Sequence, residues 1–339
     1  MKTVKLFLVL LAVALAVLPG AGRPVLAQSA TTKVTIIHFA DYHSHAVPIY
    51  SEGAPDQGGI ARTVAYIKAQ RQQDPNTLVL DGGDMFNKGS PTWSDEYKCA
   101  EWPWLKGLVD AMALGNHEFD YGQDTFKSCL AQVDFPVLSA NYVGADGKPF
   151  LTTSDGKPYL VKTIGGVKLG MFALAGSDFG TLIAKANLPQ DATFADRMAT
   201  AHQIVATLRD TEKVDAVILF GHASREDDEA LAKAVPGIDL ILGTHSHLKV
   251  EFRQIAGTNT YYISPFQYLT YLSQVEMTFS GGKITAINGQ LVKMDVEAPG
   301  PPGGGAGRPD AEGPRGQVPG PIQSARQCGG RAERRQHRS

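Results

Sequence analysis

Three cysteines in 339 residues are too few for a disulfide scaffold. Lysine and arginine (32) nearly cancel aspartate and glutamate (34), so no excess of positive charge marks a nucleic-acid-binding surface. Internal repeats are lacking, and so is any apolar run of membrane-spanning length. The unbroken run at Leu6–Leu18 falls short of the roughly 20 residues that a transmembrane helix needs. It follows the positive Lys2 and Lys5 and precedes a small-residue cleavage site at Val25-Leu26-Ala27. Residues 1–27 therefore read as a signal peptide, which predicts export to a periplasm or the medium and a mature chain starting near Gln28. A retained N-terminal anchor is the alternative. No cysteine follows the run to carry a lipid, so no stable membrane anchor is expected.

The whole chain is 43% hydrophobic and 19% charged, an ordinary globular composition, and the part after residue 27 is long enough for one large domain or two small ones. Strand-like and helical patterns alternate from Lys33 to Glu297. Beyond, residues 298–339 are rich in Gly, Pro and Arg. Their large aliphatic residues are Val318 and Ile322 alone, too few to bury a core. Two readings compete: a disordered basic tail, or the product of a shifted reading frame in a GC-rich gene. The abrupt end of the pattern favours the second. Cys99 and Cys129 could form a bridge or remain two buried thiols, because sequence does not place their Cα atoms within the roughly 4.4–6.8 Å a bridge requires. Cys328 has no evident partner.

Within the patterned part, Val34–Phe39, Thr77–Leu80, Asp110–Leu114, Pro136–Ala140, Val214–Phe220 and Ile238–Leu242 read as buried strands. Helical spacing marks Gly59–Gln73, Trp93–Leu108, Gln123–Gln132, Phe194–Asp210 and Glu226–Ala234. A hairpin is predicted at Tyr159–Ile164 and Val167–Leu174 about Gly165-Gly166. Antiparallel strands at Lys249–Ile255, Thr260–Ile263, Leu269–Phe279 and Lys283–Lys293 are expected to close a layered α/β domain.

Five of the strand-like runs end in polar motifs: Asp41-Tyr42-His43, Gly83-Asp84, Gly115-Asn116-His117-Glu118, Gly221-His222 and Gly243-Thr244-His245-Ser246-His247. Strand ends are where α/β folds place working residues. The chemistry needs this mixture. Asp84 can bridge two cations, Asp41 and His43 can hold one of them, Asn116 offers a neutral oxygen, and His222, His245 and His247 offer nitrogens. A nitrogen and oxygen shell without thiolate suits Zn, Mn, Fe or Co better than Ca or Mg. Two such divalent ions roughly 3.5–4 Å apart can clamp a phosphoryl group and acidify a water between them. His38 and His45 read as packed or solvent-facing, and His202 as surface. Glu118 is expected at a helix start or in a salt bridge. Arg62, Lys88 and Arg225 could equally meet a phosphate or the solvent.

In order and spacing these motifs resemble the calcineurin-like metallophosphoesterase superfamily and, within it, the bacterial 5′-nucleotidase / UDP-sugar hydrolase family, over about Val34–Lys293. The resemblance implies a four-layer α/β/β/α sandwich with two central mixed sheets over residues 28–297. It also implies a first metal on Asp41, His43 and His247, Asp84 as the bridge, and a second metal on Asn116, His222 and His245. His117 and Asp120 match the catalytic dyad. His117 would steady the phosphoryl group and protonate the leaving oxygen, Asp120 would orient its ring, and a hydroxide between the metals would attack in line. Nucleotides are the implied small-molecule substrates, with UDP-sugars, 2′,3′-cyclic nucleotides or a sulfur ester as alternatives. Two departures stand out. Thr244 occupies a position where the family often has Gly, with little effect expected. Residues 298–339 stand where the family carries a C-terminal nucleotide-binding domain, so a truncated metal-binding product of low activity is a further alternative.

Overall fold

The computed structural model describes residues 31–297. The predicted signal peptide, the 298–339 tail and Cys328 lie outside them. Two six-stranded mixed sheets dominate. Edge to edge, the first runs Lys283–Lys293, Tyr271–Ser280, Thr31–Phe39, Thr77–Asp81, Ala111–Ala113 and Val137–Leu138. Its last four strands are mutually parallel, and Tyr271–Ser280 is antiparallel to both its neighbours. The second runs Lys249–Gln254, Tyr261–Pro265, Leu240–Leu242, Ala216–Leu219, Val167–Phe172 and Tyr159–Ile164, with a parallel centre and antiparallel edges.

Strand periodicity explains the layering, because successive side chains point to opposite faces. Val34 and Ile36 pack into the space between the sheets with Leu78, Leu80, Leu169, Met171, Ile218 and Leu242. Ile37 and Phe39 point the other way, into a core shared with Ile60, Tyr66 and Ile67 of the Ile60–Gln73 helix. On the far side, Phe172, Val217, Leu219 and Ile241 pack against Ala201, Ile204 and Leu231 of the Arg197–Ala206 and Arg225–Ala234 helices. Parallel strands covered on both faces must be apolar on both, so these runs read as continuous rather than alternating. The result is the four-layer α/β/β/α sandwich.

Three expectations are corrected. Trp93–Leu108 is no single helix. Only Ser94–Tyr97 is α-helical and Trp102–Leu105 is a 3₁₀ turn. Lys98 between them is left-handed (φ 49°), and Pro103 opens the second piece. The predicted Phe194–Asp210 helix starts at Arg197, where Asp196 caps it by accepting the Ala199 N–H at 2.7 Å, and gives way to a wider π turn at Thr207–Thr211. Tyr261–Pro265 is antiparallel to Lys249–Gln254 but parallel to Leu240–Leu242, so it belongs to the sheet's interior rather than to a closing meander.

Cys99 and Cys129 form a disulfide, with Cα atoms 5.7 Å apart. It ties the broken segment to the Gly122–Leu130 helix, which begins two residues after Asp120. The bridge spans a sequence separation of 30. Replacing both cysteines with alanine is expected to lower unfolding free energy by about 3–4 kcal/mol in the chain-entropy account. A urea midpoint that stayed put would show that the bridge constrains nothing.

Candidate active site

All five motifs lie just past the C-terminal ends of parallel strands. Backbone hydrogen bonds stitch the loops together. Gly82 N–H donates to Phe39 O (2.8 Å), Asp41 N–H to Gly83 O (3.0 Å), His43 N–H to Asp84 O (2.9 Å) and Ser44 N–H to Met85 O (3.0 Å). Side chains continue the stitching. Asp41 accepts the His245 N–H on both oxygens (3.0 and 3.2 Å), and Asp84 Oδ1 accepts the His117 N–H (2.9 Å). Gly115 must be glycine, because a Cβ there would land on Asp84 Oδ1 and on the Asp84 backbone nitrogen. Asp41, His43, Asp84, His245 and His247 all have left-handed backbones, with φ between 49° and 58°. Such a conformation costs a non-glycine residue roughly 1–2 kcal/mol, and it persists where surrounding bonds over-determine it.

The bends aim the side chains at one place. Three groups have ligand atoms within 4.8 Å of one another: Asp41, His43 and His247; His43, Asp84 and His117; and Asp84, His222 and His245. Asp84 belongs to two of them, as a shared carboxylate should. Its Oδ2 lies 3.0 Å from His222 Nε2 and 3.7 Å from His43 Nε2.

The tautomers show what the groups are prepared to hold. His43 Nδ1 donates to Phe86 O (3.1 Å) and His222 Nδ1 to Gly82 O (2.7 Å), since a carbonyl can only accept. Both rings therefore turn Nε2 inward. His245 donates from Nε2 to Asp178 Oδ2 (3.0 Å), which turns its Nδ1 inward, 3.2 Å from His222 Nε2. His43 Nε2 and His247 Nε2 face each other at 2.8 Å.

Electrostatics agree with this. Burial lowers His43 to about 4 despite the Asp84 and Asp41 charges, so its inward nitrogen carries a lone pair. Burial also opposes charge on His222, but Asp84, by charge and hydrogen bond, and then Asp41 raise it to about 10. Its Nε2 lies 3.0 Å from Asp84 Oδ2 and 3.2 Å from His245 Nδ1. Asp84 is itself held well below the usual carboxylate range: burial pushes it up, and His222, His43 and His117 outweigh that. Asn116 Oδ1 is buried with no partner among the described residues. Converging nitrogens, a shared carboxylate and an orphaned amide oxygen fit divalent cations of the nitrogen- and oxygen-seeking kind.

Beside this cluster, His117 Nδ1 donates to Asp120 Oδ2 at 2.8 Å, leaving Nε2 free. The pair is part-exposed, with side chains 31% and 22% accessible, so it is open to a substrate. All nine residues singled out from the sequence thus lie in this one set of loops. Glu118 lies in the first turn of the His117–Phe119 3₁₀ helix, the first of its two expected settings, and it forms no salt bridge among the described residues; it is fully buried. Its carboxylate accepts the backbone N–H groups of Asp84 (3.0 Å), Met85 (2.7 Å) and Gly115 (2.6 Å). Asp178, which orients His245, was missed altogether. Its available signal was a carboxylate shortly after the Val167–Phe172 strand. His38 is buried with no hydrogen-bond partner among the described residues, His45 stacks on Tyr268 at 3.8 Å between ring centres, and His202 is exposed. Arg62 is committed to the carbonyls of Asp56, Gly58 and Met294, and Arg225 to Glu226 and Glu229.

Two mixed sheets with metal-ligand residues on the loops past their parallel strands define the metallophosphoesterase class of α/β/β/α proteins. The family model for calcineurin-like phosphoesterase matches residues 34–249, and the chain belongs to that family. Among curated proteins it is similar to the 5′-nucleotidase of Diplobatis ommata, 29% identical over 301 residues that make up 80% of this chain and 50% of that one. Among solved structures it resembles the 5′-nucleotidase precursor of Thermus thermophilus, with 27% identity and a TM-score of 0.67, covering 79% of this chain and 55% of that one. The calcineurin-like phosphoesterase YfkN of Bacillus subtilis shares the fold at 22% identity and a TM-score of 0.65, over 80% of this chain and 93% of the solved one. The chain spans about half the length of the first two relatives.

Proposed function

We propose that residues 28–297 form the catalytic unit of an exported, dinuclear-metal phosphoesterase that hydrolyses nucleotide phosphate esters of the 5′-nucleotidase type. The observation that supports this is three adjoining ligand groups, two of them sharing Asp84, beside a part-exposed His117–Asp120 pair. Asp41, His43 and His247 would hold one cation, Asn116, His222 and His245 the other, with Asp84 between them. Two bound divalent cations supply Lewis-acid charge for the phosphoryl oxygens and a water of lowered pKa. The protein supplies the rest. Asp120 accepts a hydrogen bond from Nδ1–H and so fixes the tautomer of His117. A protonated Nε2 can then donate to the leaving ester oxygen. The stitched loops hold these groups in place before substrate arrives, so no reorganisation is needed as charge develops. That similar proteins are named 5′-nucleotidases supports a nucleotide as the substrate here.

Export to a periplasm or the medium is supported by the N-terminal apolar run and by the Cys99–Cys129 bridge, which suits an oxidising compartment. Among the described residues no helix is long and apolar enough to cross a membrane.

Phosphate release from AMP and from p-nitrophenyl phosphate by the full chain tests the reading, with Mn²⁺, with EDTA and with Asp84→Ala. The expected result is release from AMP that EDTA abolishes and Asp84→Ala lacks. Cleavage of the nitrophenyl ester with AMP no faster would remove the nucleotide from the proposal. No release from either by folded, metal-loaded protein would remove the phosphoesterase.

A further inference from the structure

Thr244 sits where a small residue was expected to matter little. The structure gives it three contacts around one histidine. It is 1% exposed. Its hydroxyl donates to Gly221 O (2.9 Å) and accepts the Ala223 N–H (3.2 Å), the residues on either side of His222. Its methyl lies against Gly82, where a Cβ would clash with it, and the Gly82 carbonyl accepts the His222 ring at Nδ1. The next residue in the chain is His245, whose Nδ1 faces His222 Nε2 at 3.2 Å. A second hydroxyl, Ser246 Oγ, repeats the stitch by accepting the Arg225 N–H at 3.0 Å.

We infer that Thr244 is a positioning residue: it locks the Gly221–Ala223 and Gly243–His247 loops together and so holds His222 and His245 as a pair for one cation. The inference rests on the two-cation reading above. A valine at 244 keeps the shape and methyl but leaves the Ala223 N–H and the Gly221 carbonyl without this partner inside the protein. The His222–His245 position should suffer most, because Thr244 bonds the backbone on both sides of His222 and directly precedes His245, whereas His43 of the other group is held through Phe86 O. Residues behind a metal ligand typically govern about 10–100-fold in affinity.

The test is calorimetric titration of the metal-stripped full chain with Mn²⁺, comparing wild type with Thr244→Val, Thr244→Ser and Thr244→Ala. The wild type is expected to take two ions. Thr244→Val should keep one near wild-type affinity and bind the other about 10–100-fold more weakly, and Thr244→Ser should restore it. Should the valine variant fail to fold, alanine against serine makes the same comparison, with serine the tighter. Equal second-site affinity in wild type and Thr244→Val, or in alanine and serine, would overturn the inference while leaving the two-cation reading intact. A wild type that takes fewer than two ions would overturn both.

Discussion

Replacing His117 with glutamine is expected to lower kcat for AMP by roughly 10²–10⁴-fold, the range that a positioned general acid contributes, while Mn²⁺ binding is retained. The ring hydrogen-bonds through Nδ1 to Asp120, and its backbone N–H already anchors Asp84 Oδ1 whatever the side chain. Metal retention is thus the control that separates a lost acid from a collapsed site. A pH signature follows. Burial works against the imidazolium, but the Asp120 hydrogen bond, the Asp84 charge and the further charges of Asp120 and Glu118 prevail and raise His117 to about 9. A group raised in this way carries its proton below that value and loses it above. The rate should therefore fall on the alkaline side as pH approaches 9, and earlier if bound cations pull the value down. Asp120→Asn removes the charge that supports the proton and should move that limb to lower pH. The kcat–pH profile checks all of this. A His117→Gln enzyme within about threefold of wild type, or one that kept the same alkaline limb, would remove His117 from the acid role.

What the sequence made legible, and what it hid, divides along a physical line. Buried parallel strands are short, β-branched and apolar on both faces, and they stop at polar clusters. Strands at Val34–Phe39, Thr77–Leu80 and Val214–Phe220 could therefore be read directly, each within three residues of its observed bounds, and the candidate ligands followed from their ends. The hairpin about Gly165-Gly166 was legible because its turn is local, pairing Ile164 with Val167. Interactions between distant segments were not legible. The spacing of Trp93–Leu108 suggested one helix, but the bridge to Cys129 and the left-handed Lys98 fold it otherwise. The parallel pairing of Tyr261 with Leu240 leaves no trace in either strand's composition. Asp178 is a lone carboxylate until the fold brings His245 to it.

The strain in the site makes a further point about these loops. Left-handed backbone at Asp41, His43, Asp84, His245 and His247 would relax if the loops were free. Three side chains outside the ligand set oppose that by satisfying backbone groups across loops: Glu118, Thr244 and Ser246. The geometry of these candidate ligands is thus a property of polar side chains that bond neighbouring backbone, more than of the candidate ligands themselves.

Among these, Glu118 should matter most for stability. Its Oε2 takes the N–H groups of Gly115 and Asp84, and its Oε1 that of Met85. Glu118→Ala leaves three buried donors without an acceptor, and each such orphan costs about 1–3 kcal/mol. Together they amount to roughly 3–9 kcal/mol, against a total of about 5–15 kcal/mol for a typical domain. The alanine variant is therefore expected to be recovered largely unfolded without metal. Glu118→Gln should fall between. Its amide oxygen can serve the Gly115 and Asp84 pair, but its NH₂ then meets the Met85 N–H, stranding one donor at about 1–3 kcal/mol. Because cations would bind the folded state alone, saturating Mn²⁺ should recover part of that loss. Urea midpoints of wild type, Glu118→Gln and Glu118→Ala, with and without Mn²⁺, measure the series. Were the metal-free alanine variant within about 0.5 kcal/mol of wild type, the scale of an ordinary surface substitution, the three N–H groups would have found water instead, and Glu118 would not be what holds Asp84 in its left-handed turn.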